Sequence, residues 1–201
     1  MGALMVDDFG WPGLKITRKK LKEKLHNFES LEYADLSYMD LKGLDFTKAN
    51  LFHTNLQGAD LEGSAMSGAV LLGANLKETN LKGSNLTRAV LSHADMSGAD
   101  LSFANLNGLG DYKTTMYGVI LRGTNLTCAN MVGCYLTDSI LCDANFTQAD
   151  LSFADFTDSQ CENICFRHTN LTQACFRGAN VKNPIMDGAN LTGTHCLDIV
   201  T

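Results

Sequence analysis

Proline is nearly missing from this chain, with two residues in 201. That excludes a proline-rich linker or a long extended disordered chain. No apolar run approaches the roughly 18 residues that would cross a bilayer as a helix. The stretch Met1 to Trp11 contains Asp7 and Asp8 and lacks the basic start and long apolar core of a secretory signal. Met1-Gly2 is a weak myristoylation signal, because Val6 stands where Ser or Thr is wanted. Cysteine is absent before Cys128, and the seven that follow are odd in number. Without a secretion signal they read as reduced thiols of a cytoplasmic protein.

Positive charge is also scarce where it would matter for nucleic acid. Residues 1–30 hold six bases and four acids, while residues 31–201 hold ten bases and 18 acids, a balance of 10 − 18 = −8. A direct nucleic-acid ligand is therefore disfavoured, as is a membrane partner for the body of the chain.

Glycine, by contrast, is plentiful at 18 residues, and it belongs to a repeat of five. Stepping by five from Leu31 to Cys196 gives 34 positions, of which 31 are Leu, Met, Phe or Val. The exceptions are Asp111, Cys161 and Cys196. A helix repeats its apolar residues every 3.6 positions and a strand every second one. A strict five requires a path that turns a corner every five residues and sends one large side chain inward from each side.

The neighbouring positions agree. Two residues before each centre, a small residue occurs 28 times in 33, as a second inward position in a narrow interior demands. The residue just before the centre is Asp or Asn 20 times in 33, a type that hydrogen-bonds nearby backbone at turns.

This A(D/N)LXX pattern, as in Ala34-Asp35-Leu36 and Ala104-Asn105-Leu106, resembles the pentapeptide-repeat family over about residues 31–196. The resemblance implies an all-β fold: a right-handed quadrilateral β-helix of about eight coils, with equivalent residues recurring every 20. Folding the sequence at 20 places Leu31, Leu51, Leu71, Leu91, Asp111 and Met131 in one ladder. Residues 1–30 then form an N-terminal segment with a capping helix, and residues 197–201 a short tail.

A solenoid end needs a cap, because it exposes core and unpaired backbone. Residues 17–29 supply one as an amphipathic helix with Leu21, Leu25 and Phe28 on one face. Its bases Arg18, Lys19, Lys20, Lys22 and Lys24 make a solvated face or, alternatively, an anchor for a membrane or partner. The stretch 109–113, Leu-Gly-Asp-Tyr-Lys, breaks every rule of the repeat, and an unpaired aspartate does not replace a buried leucine. The chain is expected to bulge outward there, as a tolerated irregularity or a functional loop. Apolar residues in 197–201 leave the final coil uncovered by any helix, so a homodimer through the C-terminal coil is plausible.

No catalytic, cofactor-binding or metal constellation stands out. Cys161 and Cys165 lack a second pair at zinc-like spacing, and Cys161 sits at a core centre. Cys175 and His195 should stack one coil apart, but no third group orients them. His53 and His93 are two coils apart. The Asn-x-Thr sequons follow from the repeat itself.

Two surface features carry the functional expectation of a non-enzymatic interaction protein, a scaffold that binds a protein partner through one face. Phe52, Leu72, Tyr112 and Val132 fall at the outward position after a centre and, at an offset of 20, on one side of the coil. Asp138, Asp143, Asp158 and Glu162 form a candidate acidic patch in a stretch without Lys or Arg. The family resemblance adds an alternative for that patch: some pentapeptide-repeat proteins are acidic rods that imitate DNA, bind gyrase and other type II topoisomerases, and modulate quinolone sensitivity.

Overall fold

The computed structural model describes residues 16–108 and 113–197, together with the backbone of 199–200. Its unit is a turn. The Leu31 carbonyl accepts from the Ala34 N–H at 3.1 Å, and Tyr33 between them has φ 56°. The residue after the centre has no such positive φ, so this is the type II arrangement. The same bond recurs from Thr54 to Leu51 and from Ala74 to Leu71. Four turns occupy 20 residues, and each side pairs in parallel with the side 20 residues on, as Asp35 does with Asn55 and Asp40 with Asp60. The chain is thus a four-sided coil stacked on itself.

Short extended elements are few because each side is mostly turn. One α-helix, α1 (Arg18–His26), comes first, followed by β1 (Gln160–Glu162), β2 (Asn180–Lys182) and β3 (Ile199–Val200). These strands pair in parallel in the order β1-β2-β3.

The centres point inward and are almost all fully buried, from Leu31 to Val181. The residue two before each centre is also inward. Where it is Thr, its hydroxyl has a backbone partner in the coil before: Thr54 Oγ1 donates to Leu31 O at 2.8 Å, and Thr169 Oγ1 to Phe146 O at 2.6 Å, whereas the buried Ser64 and Ser84 hydroxyls have no hydrogen-bond partner among the described residues. The cost of burying the threonine hydroxyl is offset in this way. Asp and Asn before the centre accept from the N–H two residues on, as Asp155 does from Thr157 at 2.9 Å. They also link coils, since Asn75 Nδ2 donates to Asn55 Oδ1 at 3.0 Å.

Packing volume is balanced across the coil. Phe146 and Phe166 stack on one side at 5.6 Å between ring centroids, and Phe156 and Phe176 stack on another at 4.5 Å. A third side then narrows to Cys161 and Val181, both buried. Large residues on two sides are compensated by small ones on a third.

The 20-residue register fails at one place. Val90 pairs with Thr115, Asp95 with Ile120, Asp100 with Asn125 and Asn105 with Asn130, each 25 apart, before the offset returns to 20 at Thr115 and Tyr135. One whole pentapeptide therefore has no place in the ladder. Leu91 stacks on Met116 and not on Asp111, so the first side reads Leu31, Leu51, Leu71, Leu91, Met116, Leu136, Phe156, Phe176. The ladders expected from a uniform offset are wrong beyond residue 108. The bulge expected at 109–113 lies, except for Lys113, outside the described residues. Thr114 closes the junction: its Oγ1 accepts from the Arg88 N–H at 3.0 Å, where a backbone carbonyl serves elsewhere.

Helix α1 starts at Thr17, whose side chain accepts from Lys20 N. Lys24 and His26 lie in its last turn, favourably placed against the helix dipole. Leu21 is buried within the same apolar cluster as Leu31 and Leu36, and Ile16 and Leu25 pack against it. Phe28 does not join that face. The helix stops at Asn27, and Phe28 takes a φ of 54° and is 90% exposed.

The corner residues explain the glycines. A residue at positive φ lays its side chain along the stack, over the same corner of the next coil. A Cβ on Gly73 would come within 2.6 Å of the His53 ring, and one on Gly58 within 2.6 Å of Tyr38. Gly63, at the same kind of corner, has nothing within 4 Å. Gly63→Ala should therefore cost only the left-handed backbone strain, about 1 kcal/mol. Gly73→Ala should cost more, and the excess should disappear in the His53→Ala background. Denaturant unfolding of the four variants checks this. Equal costs at the two glycines would mean that ring contact does not select glycine.

Candidate partner surfaces

Each side of the coil shows solvent two residues per coil, one before and one after the buried centre, and each corner shows one more. Tracing the first side with the observed register gives Phe52, then Val70 and Leu72, then Val90 and Ser92, then Thr115 and Tyr117, then Tyr135 and Thr137. Phe52 and Leu72 do lie together in consecutive coils. Val132 does not join them: it follows Met131 on the fourth side, beside Asn130, because the extra five residues displace the uniform count. Tyr112 lies outside the described residues. The apolar surface is instead Phe52, Val70, Leu72, Val90, Tyr117 and Tyr135, with Tyr117 45% exposed. Val70 and Val90 were legible as departures from the usual Asp or Asn before the centre. Tyr117 and Tyr135 needed the register.

The edges of this side are also defined. Tyr33 stacks on His53 at 5.7 Å, and Phe52 meets the His53 ring edge-on at 4.3 Å. His93 meets Tyr117 edge-on at 5.2 Å. The opposite corner carries Lys48, Arg88 and Lys113, all exposed, and the Lys113 ammonium sits 4.3 Å from the Tyr135 ring centroid and bonds its hydroxyl.

The acidic candidates lie in two adjacent coils. Asp138 and Asp158 occupy the same corner one coil apart, following Leu136 and Phe156. Asp143 and Glu162 lie on the next side, where Asp143 accepts from Asn163 Nδ2 at 3.2 Å. All four are exposed. Glu162 is paired in register with Lys182, so the patch ends against a base in the following coil.

A groove of about 650 Å³ runs between α1 and the first coil, lined by Leu25, Phe28, Leu44, Ala49 and Lys48 among others. It lies outside the packed interior. Among the described residues, no group of three or more His, Cys, Asp or Glu is placed to hold a metal ion. Cys175 and His195 do pair in adjacent coils, with Thr157 Oγ1 3.8 Å from the Cys175 sulfur. His53 lies over Gly73, and His93 over Gly118 in the coil beyond it. No described helix is long and apolar enough to cross a membrane. At the far end, Ile185 is exposed and Leu191 is 41% exposed, while β3 pairs with β2.

Comparison with known proteins agrees with this architecture. A family model described as Pentapeptide repeats matches in eight copies, at residues 30–68, 74–108, 113–141 and 141–173. Its break at 108–113 coincides with the extra pentapeptide. Among solved structures, a trypsin-treated form of QnrB1, a plasmid-mediated fluoroquinolone resistance protein, superposes with a TM-score of 0.60 at 19% identity, covering 80% of this chain and 79% of its own. HetL, a pentapeptide repeat protein involved in heterocyst differentiation regulation from the cyanobacterium Nostoc sp. strain PCC 7120, is 28% identical over 83% of this chain and 78% of its own, with a TM-score of 0.38. A pentapeptide repeat protein of the Arabidopsis thaliana thylakoid lumen is 32% identical over 61% of this chain and 68% of its own, with a TM-score of 0.25. No curated protein matches.

The cysteines divide sharply by environment. Burial pushes the thiols of Cys134 and Cys161 up to about 12, while Cys128, Cys165 and Cys175 are half-buried and Cys196 is exposed. A thiol reagent at pH 8 should label these last four in the native protein and spare Cys134 and Cys161 until unfolding. Stability held by the two buried neutral thiols is full below pH 9 and is lost as pH rises toward 12. Mass spectrometry after timed labelling decides it, and early modification of Cys161 would contradict the buried assignment.

Proposed function

Because this chain belongs to the pentapeptide-repeat family, we propose that it is a right-handed four-sided β-solenoid acting in the cytoplasm as a non-enzymatic scaffold that holds a protein partner against its first side. The observation that supports this is the continuous apolar surface of Phe52, Val70, Leu72, Val90, Tyr117 and Tyr135. The third and fourth sides show mainly Asp, Asn, Lys, Ser and Thr at the same outward positions. Apolar side chains that follow one another on one flat face over four coil steps have the composition of a recognition surface, whereas Tyr38, Phe103 and Phe153 are exposed singly at other corners. The interior offers no competing role, since its inward positions are filled by packed side chains.

Crosslinking in cells tests the reading. A photoreactive residue placed at Ser92, within the first side, should give a discrete crosslinked species that is lost when Leu72 is changed to Asp. The same residue at Thr127, on the third side, should give none. Leu72 is only half-buried and faces outward, so Leu72→Asp should leave the fold intact. Equal crosslinking from both sides, or none from Ser92, would remove the first side as the working surface.

A second reading has its own observation, the cluster of Asp138, Asp143, Asp158 and Glu162. QnrB1, which shares the fold, is a fluoroquinolone resistance protein. On this reading the acidic end occupies the DNA-binding surface of gyrase in place of DNA. It predicts that the protein alters gyrase supercoiling or its quinolone sensitivity, that added salt weakens the effect steeply, and that Asp138→Asn, Asp143→Asn and Asp158→Asn together abolish it. No effect at about 50 μM protein, well above the Kd of a specific complex, would sink it.

A further inference from the structure

The first side is not uniformly charged along its length, and the gradient identifies what fits it. In the second to fifth coils its outward residues are Asn50 and Phe52, Val70 and Leu72, Val90 and Ser92, Thr115 and Tyr117. Neither these positions nor the two bordering corners hold an Asp or Glu among the described residues. This is notable in a chain with 22 acids and 16 bases. The corner leading into the side carries Lys48, Arg88 and Lys113. Neither Lys48 nor Lys113 has a carboxylate partner among the described residues. The pattern reverses in the next two coils, where Asp138, Asp155 and Asp158 appear.

We infer that the first side binds an amphipathic helical segment of a partner protein, its apolar stripe seated on Phe52, Leu72, Val90 and Tyr117 and its acidic flank against Lys48, Arg88 and Lys113. The inference rests on the scaffold reading above and adds the chemistry of the occupant. From Phe52 to Tyr135 the apolar strip spans four coil steps, about 19 Å at the spacing of paired strands. A helix rises about 1.5 Å per residue, so about 13 residues cover the strip, with anchors at i, i+3, i+4 and i+7. Carboxylates on one flank of that helix would meet the lysine corner.

An anionic membrane shares part of this chemistry but fits the face less well. A lipid plane laid along a straight side meets the whole length, including Asp155 and Asp158, whereas a helix of about 13 residues ends in the coil of Tyr135 before reaching them. The apolar residues Phe52, Val70, Leu72 and Val90 are also half-buried between coils, without the protrusion needed to enter acyl chains.

Selection from a library of helical peptides with randomised surface positions tests the occupant directly. The folded full-length chain serves as bait and the Leu72→Asp protein as counter-selection. The expected result is enrichment of peptides that carry Asp or Glu beside an i, i+3, i+4, i+7 apolar stripe. Their binding should weaken about tenfold in the Lys48→Glu, Lys113→Glu protein. It should recover when the flanking acids of the peptide are changed to Lys. Peptides that need Leu72 but carry no acidic bias would overturn the occupant and leave the scaffold surface standing. Absence of any Leu72-dependent peptide would overturn both. Sedimentation with phosphatidylserine vesicles that is lost on Leu72→Asp would replace the helix with a membrane.

Discussion

Parallel backbone pairing between successive coils constrains everything else in this molecule. The Leu56 N–H donates to Asn75 O and the Gly58 N–H to Lys77 O, while the Asn75 N–H returns to Thr54 O. Three bonds per side leave no freedom to slip by one residue, because a slip would turn an inward leucine to solvent and an outward asparagine into the core. An addition of one whole side leaves the inward phase intact. The extra residues between Leu106 and Met116 obey that rule: they add five positions, the inward phase survives, and the coils on either side still pair directly. Thr114 makes this possible by supplying through its hydroxyl an acceptor for the Arg88 N–H.

Once the ladder fixes the backbone, the outward positions are released from the work of folding. The buried centres and the small residues two before them supply the apolar burial, and the Asp or Asn before the centre ties the turn. What remains exposed is limited mainly by its neighbours in the stack. The corner shows such a limit, since a side chain laid over the next coil requires glycine there, as His53 does at Gly73 and His93 at Gly118. Sequence at these corners is therefore correlated across a whole coil, although the residues are distant along the chain.

The fold was legible because its signals are local and repeated. The five-residue period, the small inward partner and the Asx turn each recur within a pentapeptide, and the structure uses each for the reason its chemistry suggests. Two things were not legible. The first is which side follows the irregular pentapeptide, since a period of five carries no mark of the period of 20. Val132 was therefore assigned to the wrong side, and Tyr117 and Tyr135 were missed. The second is where the helix ends. Phe28 continues the apolar spacing of Leu21 and Leu25, yet the helix terminates at Asn27, whose backbone N–H bonds Glu23 O while the Phe28 N–H bonds Leu25 O. Spacing alone does not show that a turn has replaced the last helical residue.

The separation of apolar and acidic character along one side follows from the same architecture. In a globular domain, adjacent surface residues come from distant segments, and changing one region disturbs the packing beneath it. Here each coil contributes its outward pair independently over an interior of constant width, so a surface can be graded along the axis one coil at a time. The first side passes from Phe52 and Leu72 beside Lys48 to Asp155 and Asp158 within five coil steps, while its buried centres pass only from Leu51 to Phe156. The core has no need of that gradient, because the centres beneath are uniformly apolar and fully buried. A directional surface over an indifferent core is what a partner with an apolar face and one charged flank would read.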